Sequence, residues 1–284
     1  MNKKTFWLTI IIGMLLIPSV LVMGYPHRNE WLRRGLEYAA NQSAREFFAG
    51  SIRLSHVEID RKFILRIAHA EAKLKTKKGR APVEIRSIES LNPITDYLFG
   101  KPVRFAFSGA RAVDSPYDGI EGTAVSRLGE NWSFELDAKI RSFGLEDLEW
   151  FDPENLAGSS GRLTGTLRFK NDYTEKPEFR IELTVKEPGG NIQAQFFDLL
   201  APYLPQFEGI RKIHTLSGDK RLVTYKNADL NMEIAGPNKL KVFLHILVPA
   251  YNLNLNINSE IRTDEENALF QLAQLMGLVE VKLS

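Results

Sequence analysis

The sequence predicts a mainly β protein, in which one long antiparallel sheet follows an N-terminal helical region. Most of the chain after residue 50 alternates apolar and polar side chains with a period of two. This alternation is typical of strands that have one covered face. A second observation concerns the uncharged stretch Phe6–Met23, which sets the N-terminal region apart from the rest of the chain.

Phe6–Met23 is predicted to be a membrane anchor. As a helix, these 18 residues extend roughly 27 Å, close to the thickness of about 30 Å of a bilayer core. Lys3 and Lys4 precede the stretch, and no Ala-x-Ala cleavage site follows it. We therefore expect a retained span, with a cleaved signal peptide as the alternative.

The orientation of this span depends less on charge than on the length of the domain that follows. Positive charges nearly balance across it, whereas long domains translocate largely regardless of charge. We expect residues 1–5 to be a cytoplasmic tail in a single-pass protein of the Gram-negative inner membrane, with the bulk of the chain in the periplasm. The absence of cysteine fits that compartment and excludes disulfides and cysteine-ligated metals.

The charge balance argues against nucleic acid as a partner. The chain has 37 Lys and Arg against 35 Asp and Glu, so it offers no general basic field for a phosphate backbone. Its content of 44% hydrophobic and 25% charged residues is that of an ordered, folded protein.

Residues 24–50 contain an amphipathic helix, predicted over Arg28–Phe48. Trp31, Leu32 and Leu36 begin its apolar side. One interpretation is a helix that caps the following domain. The other is a helix on the membrane surface, with Trp31, Arg33 and Arg34 at the lipid head groups. Both can hold together.

Residues 51–284 are predicted to form the β-rich domain. The period-2 segments are 52–55, 57–60, 63–75, 83–88, 103–107, 122–128, 132–140, 163–169, 179–185, 221–225, 230–234, 240–248, 253–257 and, after the last helix, 279–283. Short helices are expected at Pro93–Phe99, Gln193–Leu200 and Asn267–Met276, and a basic exposed loop at Thr76–Arg80.

About a dozen strands in one ladder would extend roughly 50–60 Å, and a sheet of that length must curl, close or split. The few predicted helices cannot cover its apolar face. On pattern alone we favour a face that folds onto itself as a β-sandwich. The other interpretation is a groove lined by aliphatic side chains, which on an anchored protein suggests lipid chains as ligands.

A family resemblance shifts this balance towards the groove. The chain resembles AsmA-like proteins of Gram-negative bacteria in its anchor, its amphipathic helix and the segment Phe48–Ile59. Val83–Leu91 resembles the paired strands that follow in the family, and Leu156–Leu167 its glycine-containing strand element. Pro188–Ile192 with Asp198–Leu200 resembles its Gly-Gly strand and leucine-rich helix.

The C-terminal part, with Asn252–Asn258 and the helix after Glu266, is similar to the end of the larger YdbH-type relatives in the family that also includes TamB. The resemblance implies a curled β-groove protein, projecting into the periplasm, that handles phospholipid or supports outer-membrane biogenesis. This chain is several times shorter than the relatives thought to bridge the periplasm. A partner protein, self-association or a local role would then be needed.

The groove interpretation predicts lipid-binding residues on the apolar side of the strands. They are Leu163, Leu167, Phe169, Phe179, Ile181, Leu183, Val185, Leu230, Met232, Ile234, Val242, Leu244, Leu253, Leu255 and Ile257. The alternative function is a structural or assembly component of an envelope secretion system, with a closed, dry sandwich. It would resemble the short N protein of type II secretion.

No pattern for catalysis, a metal or a cofactor is recognised, so we predict that the chain is not an enzyme. The five histidines are scattered, and the nucleophile and phosphate-loop motifs are missing. The acidic pairs Glu146/Asp147 and Glu149/Asp152 are interpreted as parts of a solvated loop, anchored to the sheet by neighbours such as Leu145 and Leu148.

Overall fold

A computed structural model describes residues 28–43, 52–76, 79–127, 133–149, 156–172, 178–194, 222–236 and 239–262. Within these ranges the chain contains one α-helix, α1 (Arg28–Ser43). The strands are β1 (Arg53–Ile59), β2 (Leu65–Thr76), β3 (Gly79–Ile85), β4 (Ser87–Ser90), β5 (Val103–Ala112), β6 (Gly119–Arg127), β7 (Ser133–Gly144), β8 (Arg162–Asp172), β9 (Glu178–Val185), β10 (Gly190–Gln193), β11 (Leu222–Tyr225), β12 (Asn227–Gly236), β13 (Lys239–Val248) and β14 (Leu253–Arg262). Short 3-10 helices are Ile94–Phe99, Leu145–Leu148 and Pro249–Tyr251.

Twelve of these strands form a single antiparallel sheet. The order is β1-β2-β3-β5-β6-β7-β8-β9-β12-β13-β14, and β4 pairs with both β2 and β5. The remaining two strands, β10 and β11, pair with each other as a small second sheet. The prediction of a mainly β protein with a large antiparallel sheet and few helices is confirmed.

The strand register aligns the apolar positions of successive strands into rows across the sheet. Cross-strand partners lie on the same face, so an apolar side chain on one strand packs beside an apolar side chain on the next. One such row runs through Phe107, Gly122, Ala138, Leu167, Ile181, Met232 and Val242. The period-2 pattern of the sequence therefore becomes one continuous apolar face.

Two buried clusters lie at opposite ends of this sheet. At the first end, Leu32 of α1 packs with side chains of β1 and β2 that include Val57 and Ile67. At the other end, the β10–β11 hairpin packs through Val223 and Tyr225 against β8, β9, β13 and β14. Each end of the apolar face is thus covered by an element outside the main ladder.

Helix α1 is joined to the edge strand β1 by side-chain hydrogen bonds to its backbone. The Ile52 N–H donates to Asn41 Oδ1 at 2.6 Å, and Asn41 Nδ2 donates to the Ile52 carbonyl at 3.3 Å. Two residues later, the Leu54 N–H donates to Glu37 Oε1 at 2.8 Å. The helix thereby satisfies backbone groups that an edge strand otherwise leaves unpaired.

Some predicted boundaries were wrong. Thr76 pairs with Gly79, and Lys75 with Arg80, so three residues of the predicted loop Thr76–Arg80 belong to β2 and β3. Helix α1 is described over Arg28–Ser43, and the rest of the helix predicted to Phe48 lies outside the described residues. The predicted strand 83–88 is divided between β3 and β4, since Arg86 N–H bonds to Ser108 O. Gln193, expected to begin a helix, ends β10.

Several predictions fall on residues that the structure does not describe. These are the span Phe6–Met23, the helix Asn267–Met276, the strand 279–283 and nearly all of the helix predicted after Gln193. Among the residues that are described, no helix combines the length and the apolar composition needed to cross a bilayer.

Replacing Asn41 with Ala should destabilise the docking of α1 on β1 by about 1–3 kcal/mol, because it removes both partners of the half-buried Ile52 backbone. Amide hydrogen exchange at Ile52 should accelerate accordingly. Arg34→Ala is the control, since Arg34 bonds only to Glu30 on the outer side of the helix. Unchanged exchange at Ile52 in the Asn41 variant would contradict this account.

Candidate functional site

The candidate site is the middle of the apolar side of the sheet, named here the central apolar face. Its large side chains are all half-buried, and none of them packs against either buried cluster. They are Phe107, Leu136, Leu167, Phe169, Phe179, Ile181, Met232, Ile234 and Val242. The small Ala138, in the same rows, is buried. This set extends from β5 to β13.

Register brings these residues together from distant parts of the chain. Leu136 pairs with Phe169, and Phe169 pairs with Phe179 on the next strand. The seven strands from β5 to β13 along the ladder give six spacings of about 4.8 Å, so the face is roughly 29 Å long. That length is about twice the hydrocarbon depth of one bilayer leaflet.

Small residues interrupt this face near its β5 end. Gly122 and Ala124 on β6 stand in rows whose other members include Phe107, Leu136 and Leu167. At Gly122 an added Cβ would collide with the backbone of the neighbouring strand. The face therefore has a stretch of low side-chain volume on β6, with bulky side chains on β5 and β8.

Seven of the predicted lipid-binding residues lie on the central apolar face: Leu167, Phe169, Phe179, Ile181, Met232, Ile234 and Val242. The other eight belong to the cluster under the β10–β11 hairpin. Leu163, Val185, Leu244, Leu255 and Ile257 are buried in it, and Leu183, Leu230 and Leu253 pack against it. These eight side chains contact protein, so they are better described as core residues.

Phe107 and Leu136 belong to the central apolar face but were not among the predicted site residues. Their strands were predicted from the same alternation, which places each of them on the apolar side. The signal was present in the sequence. The missing information was which strands lie under α1 or the β10–β11 hairpin.

The opposite face of the sheet is polar and cross-linked by ion pairs. Arg168 lies 3.2 Å from Asp137 on the adjacent strand, and Lys241 lies 3.7 Å from Glu233. A depression of about 650 Å³ on the sheet is lined by residues such as Thr123, Asp137 and Arg168 of the polar side. Its lining also includes Leu136, Phe169, Phe179 and Ile234, so it borders the central apolar face.

The predicted membrane-surface residues differ in whether their side chains are free to contact lipid or are bonded within the helix. Trp31 is 60% exposed, and Tyr38, which was not among the predicted residues, is exposed on the same helix. Arg33 and Arg34 instead bond to Glu30 at 2.7 and 2.9 Å. Hydrogen bonds from these two guanidinium groups lower the pKa of Glu30 to about 2.

The interpretation of Glu146 and Asp147 as solvated loop residues was wrong. Both are half-buried in the 3-10 helix Leu145–Leu148, which directly follows β7. The Ser115 hydroxyl donates to Asp147 at 2.7 Å, and the Tyr117 hydroxyl donates to Glu146. The bond to the Glu146 carboxylate raises the pKa of Tyr117 to about 12. As predicted, Leu145 and Leu148 anchor this segment to the core.

A polar row on the other face brings Thr184, Asp229 and His245 together. The Thr184 hydroxyl donates to Asp229 at 2.9 Å, while His245 Nδ1 lies 3.4 Å from the same carboxylate. In a catalytic triad the nucleophilic hydroxyl bonds to the imidazole, and the carboxylate orients that imidazole. Here the Thr184 hydroxyl bonds to the carboxylate instead, so the three residues do not have the arrangement of a triad. Within the described ranges, no cluster of three or more His, Cys, Asp or Glu could hold a metal ion.

Leu255→Asp should destabilise the protein by more than about 3 kcal/mol, because Leu255 is 2% exposed within the buried cluster. Leu167→Asp should cost less, about 1–2 kcal/mol, since that side chain is half-buried on the central apolar face and the new carboxylate can still reach water. Urea denaturation of the full chain in detergent micelles measures both. Equal destabilisation by the two variants would contradict the division between core and face.

Comparisons of the chain with protein-family models, with curated proteins and with solved structures find no match.

Proposed function

We propose that this protein binds lipid acyl chains on the central apolar face and transfers them, as a groove-forming protein anchored in the inner membrane. The observation that carries the proposal is a continuous apolar surface that crosses seven strands between two covered ends, with its large side chains only half-buried. Apolar surface that the fold leaves incompletely covered often marks an interaction site.

The physical driving force is the removal of hydrocarbon from water. Each buried methylene contributes about 0.8 kcal/mol, so a segment of several methylenes on the face is substantially stabilised outside the bilayer. No catalytic group is required. Because the apolar rows continue from strand to strand, an acyl chain can move along the face without crossing a polar barrier.

In this proposal the sheet curls so that the apolar rows line the inside of a groove. A sheet of twelve strands rarely stays open and flat, since strand twist accumulates along the ladder. The resemblance to AsmA-like proteins supports the same arrangement, with Phe6–Met23 as the anchor and the sheet in the periplasm. A periplasmic partner or a second copy would extend the path, because one face of roughly 29 Å is no longer than a bilayer core.

A photoreactive amino acid at Leu167 should form adducts with phospholipid in cells, because this side chain lies on the central apolar face. Thr166 is the matched control, since it is the preceding residue of β8 and is exposed on the opposite face. Mass spectrometry of the purified adducts distinguishes lipid from protein. Lipid adducts at neither position, or equally at both, would contradict the proposal.

Ala124→Trp should reduce the phospholipid that co-purifies with the protein severalfold, because the indole would fill the stretch of low side-chain volume near the β5 end of the face. Thr123→Trp places the same side chain on the polar side of β6 and should leave lipid recovery unchanged. Mass spectrometry of lipid extracted from both purified variants provides the measurement. Full lipid recovery with the Ala124 variant would exclude this face as the site.

A second candidate function, a component of an envelope assembly, is favoured by the last strand. Within the described ranges β14 pairs only with β13, which leaves the other edge of ten residues, Leu253–Arg262, without a partner strand. Such an edge is suited to strand addition by another protein or a second copy. Predominantly protein adducts at Leu167 would favour this function over lipid transfer.

A further inference from the structure

A second apolar surface lies at the rim of the sheet where β1 turns into β2 and β4 connects to β5. It is defined by Phe63, Leu91, Leu98 and Phe99, and is named here the rim patch. These side chains are 43, 54, 50 and 74% exposed, and they are four of the eight exposed large apolar residues in the described ranges. The rim patch is separate from the central apolar face.

The loop that carries Leu98 and Phe99 is held in place by hydrogen bonds. Asn92 is its centre: the side-chain amide donates to Asp96 at 2.7 Å and to the Pro102 carbonyl at 3.0 Å, and its oxygen accepts from the Arg104 N–H at 2.7 Å. The Tyr97 hydroxyl bonds to Ser126 at 2.6 Å. The two apolar side chains therefore project from an ordered loop.

Phe63 is presented in a costly backbone conformation. Its φ of 60° lies in the left-handed region, which is unusual for a bulky residue. The Asp60 carboxylate maintains the turn by accepting the N–H groups of Lys62 and Ile64 at 2.8 and 3.0 Å. The Ile94 N–H donates to the Phe63 carbonyl at 3.0 Å and joins this turn to the neighbouring loop.

Basic side chains surround the rim patch. Arg61, Lys62, Lys101, Arg104 and Arg127 are all exposed on the segments that carry it. Of these, Arg61, Lys101 and Arg104 form no ion pair with any described residue. Exposed apolar side chains within a ring of cations are complementary to a bilayer surface that carries anionic head groups.

The start of α1 lies at the same end of the sheet. Asn41 is opposite Ile52 and Glu37 is opposite Leu54, so α1 and β1 run antiparallel. The N-terminal end of α1 is then near the end of β1, from which the Asp60–Ile64 turn follows. Only four residues separate Met23 from Arg28, so the apolar stretch that we predict to span a membrane ends within about 18 Å of the start of α1.

We infer that the rim patch docks on the surface of an anionic phospholipid membrane. Phe63, Leu98 and Phe99 enter the boundary between head groups and acyl chains, while the surrounding Arg and Lys side chains contact lipid phosphates. The occupant is a lipid surface because both the cationic ring and the adjacent apolar stretch favour one. Docking would hold this end of the sheet against the bilayer.

This inference does not require the central apolar face to bind lipid. The rim patch contacts the surface of an intact bilayer, whereas the face would hold acyl chains removed from one. Either proposal, membrane docking by the rim patch or acyl-chain binding on the face, can therefore be disproved without the other. The Ala124→Trp variant, designed to block the face, should leave rim docking unchanged.

The test uses the full chain, reconstituted in vesicles of phosphatidylcholine with and without phosphatidylglycerol. Because the chain contains no cysteine, Phe99→Cys introduces a unique site for an environment-sensitive fluorophore. Lipids with a nitroxide on the acyl chain should quench this label strongly in the vesicles with phosphatidylglycerol. Leu222→Cys, on the β10–β11 hairpin at the other end of the sheet, is the matched exposed control and should be quenched little.

Reversing two charges, with Arg61→Glu and Lys101→Glu, should reduce the ratio of docked to undocked protein by roughly tenfold or more, because each cation lost weakens attraction to the anionic surface. Absence of quenching at position 99, or equal quenching at positions 99 and 222, would overturn the inference. Quenching that is independent of phosphatidylglycerol and of the two charges would overturn the assignment to anionic lipid. A fluorophore that is shielded from water but not quenched by the nitroxide lipids would indicate a protein partner instead.

Discussion

The central constraint on this fold is that a strand with alternating apolar side chains needs a partner that continues its apolar row. In the sheet, the register supplies that partner repeatedly, so Leu136, Phe169 and Phe179 meet although they come from three strands. Every further strand lengthens the apolar face and the polar face together. The fold therefore cannot satisfy its backbone hydrogen bonds without also producing a long apolar surface.

The two ends of that surface are covered in different ways. At the first end, α1 contributes Leu32 to the core and uses Asn41 to bond the backbone of the edge strand. At the other end, the β10–β11 hairpin inserts Tyr225, whose hydroxyl donates to the Ser160 carbonyl at 3.1 Å. Burial raises the pKa of Tyr225 to about 12, as expected for a phenol enclosed by the core. What distinguishes the central stretch is that neither of these elements packs on it.

Periodicity sufficed to predict most of the strands and the side on which each residue lies. The apolar side of each strand from β8 to β13 follows from alternation alone, because each strand shows it within its own few residues, whereas the row from Leu167 to Val242 also needs the register. Periodicity could not predict coverage. Leu255 and Met232 have the same local pattern, yet Leu255 is fully buried beneath the β10–β11 hairpin and Met232 is only half-buried. That difference depends on contacts between segments far apart in the chain.

Turns and short helices were the least predictable parts. The bonds of Ser115 and Tyr117 to the Leu145–Leu148 segment join residues about thirty positions apart, and no local pattern indicates them. The exposure of Phe99 is similar: an apolar residue at the end of a short helix is more often packed inside. Only the geometry of the Asn92 loop shows that it faces outward.

The order of strands in the sheet has a consequence for how the molecule can assemble. Nearly every strand pairs with the one made just before it; β12 joins β9 only after the β10–β11 insertion. Pairings between sequence neighbours close short loops, whose entropic cost is small. The ladder can therefore grow one hairpin at a time in the direction of synthesis, as the chain leaves a ribosome or a translocation channel. Each new strand can then pair with a strand that has already formed.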